Sequence, residues 1–535
     1  MNYSMKFHGK NLIAGSWEDG MPEAGFQSRN PNTGEVLEPI YNDASLEQVK
    51  VAIDEANQAF ADFRTTTPEH RADFLETLAI EVEERGEEII ACAQAETALG
   101  QQRLKMELSR TLAQPKLFAE LIREGSWLEA RIDSAELSRQ PIPRPSLRSM
   151  LQPVGPVAVF GASNFPLAIS VVGTDTVCAF AAGCPVVIKA HPAHPRTCEI
   201  TAQAVVAALK KHNLPPSLFS LLHGLDHGVG QSIIAHPKLA AVAFTGSLAG
   251  GRALMDAAAR REVPIPVFAE MGSLNPVFLL PDALKNHGSK IAEGFVQALT
   301  LGVGQFCTNP SVLLALDCPA LDTFLRETSQ HVQACEPETM LHKGIHLNYT
   351  ELSEAFSNLS GLSVVAKTKS ADAKKLEADV TLLETNFSTW SSTQKLQQEC
   401  FGPTSIIIRA KNLEELLEFA RNMEGSLTAT LHGTNEDLDT HKELIKLLET
   451  RVGRLVFNGF PPGVEIGHAT HHGGPYPATS TGAHTSIGLG SIQRFVRPIC
   501  YQGCPDSQLP RELQDANPRG ILRTVDGKRN RNPIS

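Results

Sequence analysis

The chain has 535 residues, 42% of them hydrophobic, and 48 Lys and Arg against 59 Asp and Glu give a formal charge of −11. That length holds two or more domains of roughly 100–200 residues and a large buried core. An acidic balance without a block of like charge excludes a nucleic-acid or polyanion surface, and the run Lys528-Arg529-Asn530-Arg531 is too short to alter that.

The N-terminus, Met1-Asn2-Tyr3-Ser4-Met5-Lys6-Phe7-His8, lacks the apolar stretch of a signal peptide, and nowhere do about 18 apolar residues run together to span a bilayer. A cytoplasmic protein is the expectation. The 10 Cys include no C-x-x-C pair, so neither a disulfide scaffold nor a zinc ribbon is indicated and one thiol is free for catalysis. After the turn-rich Asn30-Pro31-Asn32-Thr33-Gly34-Glu35, Ser45 and Gln48 form a capping-box pattern that opens a helix running through Phe60. A second amphipathic stretch starts near Pro68. Pro141, Pro143, Pro145 and Pro153 then predict an extended connector or arm.

From Gly155, short β-branched runs alternate with Ala-rich helical windows. Val157–Phe160, Val186–Lys189, Leu218–Leu222, Ala241–Thr245 and Ile265–Ala269 are the strand candidates, and the alternation predicts an α/β fold with a doubly wound parallel sheet. A further α/β region begins near Asn275 and extends to about Gly474, with a strand at Arg454–Asn458. The Gly/Pro/Ser/Thr-rich stretch 473–490 sets off the C-terminal part.

Four segments carry candidate chemistry. Gly302-Val303-Gly304-Gln305-Phe306-Cys307-Thr308-Asn309 puts a thiol in a glycine-rich loop whose backbone N–H groups could meet a thiolate and an oxyanion. Alone, such a Cys is more often a buried structural residue. Phe268-Ala269-Glu270-Met271-Gly272-Ser273 ends an apolar strand on a carboxylate, where desolvation should raise its pKa towards that of a useful base. Gly161-Ala162-Ser163-Asn164-Phe165-Pro166 ends another strand on an amide able to donate to an oxyanion. Phe244-Thr245-Gly246-Ser247, running on to Gly250 and Gly251, is a strand-to-helix turn suited to a pyrophosphate.

Together these segments resemble the aldehyde dehydrogenase superfamily, over nearly the whole chain from Asn30–Glu35 to Thr485–Gly488. The resemblance implies a Rossmann-like cofactor domain (1–139 and 154–274), a catalytic domain (275–474), a small β bridging element (140–153 and 475–505) that builds a homodimer or dimer of dimers, and a C-terminal tail (506–535). It implies Cys307 as nucleophile, Glu270 as general base and Asn164 as side-chain oxyanion donor. The implied cofactor contacts are Lys189 on the ribose, the turn Phe244, Thr245, Gly246, Ser247 and Gly251 on the phosphates, Glu399 and Phe401 at the nicotinamide ribose, and Phe160, Gly161 and Gly224 around them. The implied reaction is thiolate attack on an aldehyde, hydride transfer to NAD(P), and hydrolysis of the resulting thioester by water that Glu270 activates.

Departures from the family pattern narrow the reading. Lys189-Ala190-His191-Pro192 lacks the Glu that many NAD-preferring members carry there, which permits NADP, and His191 or Arg196 could supply positive donors to a 2′-phosphate. NADP is therefore favoured over NAD. Glu270-Met271-Gly272-Ser273-Leu274, Ala162-Ser163-Asn164 and Gly473-Gly474-Pro475-Tyr476-Pro477-Ala478 resemble the 2,5-dioxopentanoate (alpha-ketoglutarate semialdehyde) dehydrogenases and a related bacterial NADP-dependent fatty-aldehyde dehydrogenase. Other semialdehydes, a CoA-acylating dehydrogenase and a non-catalytic relative are the rivals.

An oxo-acid substrate needs a cation, and Arg103, Glu107 and Arg110 share one helix face that the resemblance puts near the substrate tunnel; a surface ladder is the plainer alternative. Phe165, Gln305 and Asn458 complete the substrate candidates, with Asn458 equally able to cap a strand end. His468, His471 and His472 have no Cys or carboxylate at ligand spacing within their loop, so no metal is expected and the loop is read as facing substrate.

Overall fold

A computed structural model describes residues 7–372 and 375–534. Most of the N-terminal segment inspected for a leader lies outside them. Among the described residues no helix is long and apolar enough to cross a membrane.

The opening helix, Leu46–Phe63, starts where Ser45 and Gln48 close their reciprocal capping box, and Val49, Ala52, Ile53, Ala56, Ala59 and Phe63 form its buried stripe. It packs beside a seven-stranded sheet whose order in space is Val267–Glu270, Ala241–Thr245, Val157–Phe160, Val186–Lys189, Phe219–Leu222, Asn11–Ile13 and Ser16–Glu18. The first five are parallel. They are short, largely apolar runs with most positions buried, which is why their bounds are readable within two residues. Leu218 instead ends a 3-10 turn, and the strand Val267–Glu270 begins two residues later than Ile265. Asn11–Ile13 and Ser16–Glu18 are too short to show a pattern and went unread.

Chain order along the parallel part reverses at Val157–Phe160, so the crevice beyond its C-terminal end and that of Ala241–Thr245 is a topological switch point. A second seven-stranded sheet runs Ser363–Lys367, Thr381–Asn386, Thr404–Ala410, Val312–Leu316, Val277–Leu279, Ser426–His432 and Val452–Phe457, parallel except at its first strand. A five-stranded sheet joins Val496–Gln502, Leu147–Pro153, Arg131–Asp133, Arg523–Val525 and Lys528–Asn530. Residues assigned to a tail on sequence alone thus extend this sheet by two strands, anchored by the fully buried Arg523.

Candidate active site

Three segments distant in sequence meet at the C-terminal end of the strand Val267–Glu270. Glu270 ends its strand and is buried, and the loop 471–487 is laced onto that strand: Met271 N–H donates to Ala478 O at 2.8 Å and Ala269 N–H to Ser480 Oγ at 2.9 Å. This brings His472 Nε2 to 3.0 Å from Glu270 Oε1 and 3.5 Å from Cys307 Sγ. The Ser486 hydroxyl donates to Glu270 Oε2, and Ser486 N–H to His472 O at 2.8 Å. Behind Ser486, the buried Arg494–Asp175 pair (2.7 Å) puts a guanidinium N–H 3.3 Å from Ser486 O.

Burial alone would raise the Glu270 carboxyl, as expected from its place on an apolar strand. His472, Ser486 and the Cys307 thiol outweigh it and hold the group down to about 2. The expectation of a raised carboxyl is therefore corrected. The cost moves to Cys307, whose thiol burial and the neighbouring Glu270 push up well above its ordinary value. The resting pair is a neutral thiol beside a carboxylate. His472 Nε2–H donates to that carboxylate, so its Nε2 lone pair is not free for the thiol proton. Glu270 is the base in reach. Ser486→Ala, leaving Glu270 one donor short, should lower kcat about three- to tenfold while Ser486→Thr keeps most of it, read from steady-state rates; equal rates in all three would remove Ser486 from this role.

Cys307 is carried on a strained turn: Gly302, Val303 and Gly304 have φ of 56°, 59° and 65°. A Cβ on Gly304 would meet the Gly402 carbonyl carbon at 2.4 Å, so this glycine is needed for the loop to close on the segment bearing Glu399. Asn275, not singled out from sequence, donates to Cys307 O at 2.8 Å and Asn309 O at 3.0 Å. Asn164 Nδ2 donates to Gln305 O at 2.9 Å, which leaves its second N–H for another acceptor. The Gln305 side chain is spent on Gly302 O (3.0 Å) and Leu341 N–H (3.0 Å), so it is structural rather than substrate-facing.

The Arg103–Glu107–Arg110 face is not a surface ladder, because Glu107 is buried. Glu107 accepts from Leu167 N–H and Ala168 N–H, both at 2.9 Å, and from Arg103 Nη1 at 2.7 Å. Arg103 also lies 4.5 Å over the Phe165 ring, so with Glu107 it props the segment carrying Asn164. Arg110 differs. It lies 5.8 Å over Phe165, its buried Nε and Nη2 have no partner among the described residues, and its charge acts on Cys307. Phe165 meets Phe306 edge-on at 5.3 Å, and Val464, Ile466 and Ile487 pack with them into an apolar wall. Arg454, also missed, is legible as a cation within an otherwise apolar strand; it donates to Pro461 O at 2.6 Å, and its Nε has no partner among the described residues. Asn458 clamps Gly433 through N–H and C=O at 2.9 and 3.0 Å, the strand-capping alternative.

At the switch point the residues fit a dinucleotide. Gly246 and Ser247 are exposed, and Ser247 caps the helix Leu248–Ala259 by accepting from Gly250 N–H at 3.1 Å. Added Cβ atoms on Gly246, Gly251 and Gly161 would strike Phe244, Met271 and the Ile169 carbonyl at 2.6, 2.5 and 2.6 Å, so backbone lines this cradle. The Phe160 ring packs into the core against Gly230, leaving only its backbone at the crevice. Lys189 Nζ donates to Gly224 O at 2.5 Å, and burial lowers it to about 8. Glu399, raised by burial to about 7, accepts from Ser273 N–H at 3.3 Å; a Cβ on Gly272 would strike its Oε2 at 2.6 Å. Phe401 is half-buried just beyond.

His191 stacks on His194 with centroids 5.2 Å apart, and His342 lies at 6.0 Å. Burial, then His194, His342 and Lys189, drive His191 well below its ordinary value, so it is neutral and not the positive donor expected. Its Nδ1 accepts from Ala193 N–H at 3.2 Å, leaving Nε2–H to donate. The Arg196 guanidinium lies 4.7 Å over the Phe7 ring, outside this cluster.

Comparison with known proteins agrees with the geometry. Residues 17–482 match the model of the aldehyde dehydrogenase family. Alpha-ketoglutaric semialdehyde dehydrogenase 2 of Azospirillum brasilense is 44% identical over 93% of this chain and 95% of its own. Alpha-ketoglutaric semialdehyde dehydrogenase of Acinetobacter baylyi is 43% identical over 91% and 92%. Among solved structures, a Staphylococcus aureus betaine aldehyde dehydrogenase superposes with a TM-score of 0.79 at 19% identity, covering 95% of this chain and 97% of that one. A Bacillus cereus aldehyde dehydrogenase solved with NAD+ gives 0.79 at 20%, covering 93% and 96%. The chain belongs to the aldehyde dehydrogenase family, oxidoreductases that act on aldehydes with NAD(P).

Proposed function

We propose that the enzyme oxidises 2,5-dioxopentanoate to 2-oxoglutarate. The observation that carries this is Arg110, a half-buried guanidinium whose Nε and Nη2 have no hydrogen-bond partner among the described residues and whose charge reaches Cys307. Buried guanidinium N–H groups without acceptors are costly, and a substrate carboxylate would relieve that cost. A neutral fatty aldehyde would leave it unrelieved. The names of the two relatives at 44% and 43% identity support the same substrate.

In the proposed reaction Glu270 takes the Cys307 thiol proton as sulfur attacks the aldehyde carbon, forming a thiohemiacetal. The free N–H of Asn164 and the backbone at Cys307 hold the oxyanion. Bound NAD(P) supplies the hydride acceptor, with Lys189, the Gly246–Gly251 turn and Glu399 as its holders. Once that proton has passed to solvent, the Glu270 carboxylate activates water against the thioester, which favours hydrolysis over transfer to CoA. His472 and Ser486 aim the carboxylate throughout, and Arg103 with Glu107 positions Asn164.

A charge-assisted hydrogen bond contributes about 1.5–3 kcal/mol. Arg110→Ala should therefore raise KM for 2,5-dioxopentanoate about 10- to 100-fold, and change KM for a neutral aldehyde of similar length less than about threefold. Parallel changes would sink the assignment. Arg103→Ala, by contrast, should lower kcat for both substrates.

Both cofactors are expected to serve, with NADP favoured. No carboxylate follows Lys189 to repel a 2′-phosphate, yet neutral His191 offers it only an ordinary hydrogen bond. The ratio of dissociation constants should stay within about tenfold in favour of NADP at pH 7.5, measured by quenching of protein fluorescence; a 100-fold preference either way would contradict the reading. The 10 free cysteines suit a reducing, cytoplasmic location. The edge strand Val496–Gln502, unpaired on one side among the described residues, suits assembly into a homodimer or dimer of dimers.

A further inference from the structure

Cys307 Sγ, His472 Nε2 and Glu270 Oε1 come from three separate segments, yet all lie within 4.8 Å of one another. Ligand spacing within the histidine loop could not reveal such a set, because the thiol and the carboxylate arrive from residues 165 and 202 positions away. Zinc bonds of about 2.3 Å to sulfur, about 2.05 Å to nitrogen and about 2.1 Å to oxygen imply tetrahedral edges of about 3.6 Å for S···N and about 3.4 Å for N···O. The observed separations are 3.5 and 3.0 Å, so both edges at His472 are within a few tenths of an ångström of tetrahedral values, and Sγ and Oε1 lie within 4.8 Å of each other.

We propose that the active centre binds one zinc ion on Cys307 Sγ, His472 Nε2 and Glu270 Oε1, and that this reversibly masks the thiol. A water would fill the fourth position, the arrangement of three protein ligands and an open site that zinc commonly takes. The bonds balance simply. The thiol proton leaves to solvent as the S–Zn bond forms, and the imidazole proton shifts from Nε2 to the buried Nδ1, which has no partner among the described residues. Thiolate and carboxylate then cancel the two charges of the ion, so the metal-bound set is neutral. Thiolate and imidazole together select zinc or cobalt over magnesium or calcium. His472 is the deciding residue, since a thiol and a carboxylate alone would leave two positions to water.

The inhibitory half of this proposal rests on Cys307 being the nucleophile; the binding half does not. Cobalt(II) is the probe for binding, titrated under argon into the reduced, full-length enzyme. The expected result is one cobalt per chain, a thiolate-to-cobalt charge-transfer band in the near ultraviolet, and four-coordinate d–d bands in the visible. The band should vanish in Cys307→Ala. In both His472→Phe and His472→Gln the affinity should fall at least tenfold, with a single cooperative thermal transition and unchanged cofactor binding showing that the variants fold. Zinc at one equivalent should stop aldehyde oxidation by the unaltered enzyme, and a chelator should restore it. Cobalt bound without the charge-transfer band, or with equal affinity in both His472 variants, would overturn the site. A full band accompanied by undiminished oxidation in zinc would leave the site standing and overturn Cys307 as nucleophile.

Discussion

Cys307→Ser is expected to lower kcat/KM by at least about 1000-fold while leaving the cofactor dissociation constant within about threefold. The reason lies in the environment of the sulfur. Burial and the neighbouring carboxylate already push the thiol well above its ordinary value, so proton transfer to Glu270 is uphill even for sulfur. A hydroxyl begins several units higher and is the weaker nucleophile at neutral pH, so the same base cannot make up the difference. The substitution should not disturb the loop, because Cys307 is held by its carbonyl, through Asn275 at 2.8 Å. The cofactor cradle depends on residues 160–161, 189 and 244–251, none of which touches Sγ. NAD(P)H production with aldehyde, set beside fluorescence quenching by NAD(P), separates the two quantities. Retention of more than about a tenth of the activity would move the nucleophile elsewhere.

The fold was legible where one segment carries its own signal. Val186–Lys189 is apolar and β-branched because both faces of that strand are covered, and Ser45 with Gln48 marks a helix start through bonds made within four residues. The motif residues of the site could be recognised for the same reason. Their chemical state could not. Glu270 on an apolar strand reads as a desolvated acid, and it is one, but His472 and Ser486, 202 and 216 residues further on, reverse the outcome. No local window contains that information.

The arginine face shows the same limit from the other side. Helical spacing brought Arg103, Glu107 and Arg110 together correctly, but spacing is blind to burial. Glu107 lies inside because Leu167 and Ala168 need an acceptor for their N–H groups, and this converts Arg103 from a substrate candidate into a brace. Arg110, one turn further, keeps Nε and Nη2 without a hydrogen-bond partner among the described residues. His191 was misjudged similarly: its charge depends on two other rings, one of them His342, about 150 residues away in the chain.

Glu270→Gln is expected to reduce both kcat and kcat/KM about 100- to 10,000-fold, with no pre-steady-state burst of NAD(P)H. The substitution keeps the shape of the side chain and removes its ability to accept a proton. With His472 Nε2–H and the Ser486 hydroxyl both pointing at the two carboxylate oxygens, one of them must then face an amide NH₂. A donor against a donor in a buried site costs about 1–3 kcal/mol, so a lower thermal midpoint should accompany the loss of rate. The burst decides which step the carboxylate serves. If Glu270 takes the thiol proton, as its position beside Cys307 implies, the variant forms no thiohemiacetal and the first turnover is as slow as the rest. A full burst of one NAD(P)H per chain, followed by slow turnover, would confine Glu270 to the hydrolytic water and require another group to deprotonate Cys307. His472 would be that group, since an amide oxygen facing it no longer holds Nε2–H as firmly as a carboxylate does. A Glu270→Gln/His472→Phe double variant separates the two cases: the burst persists without His472 only if neither side chain takes the proton.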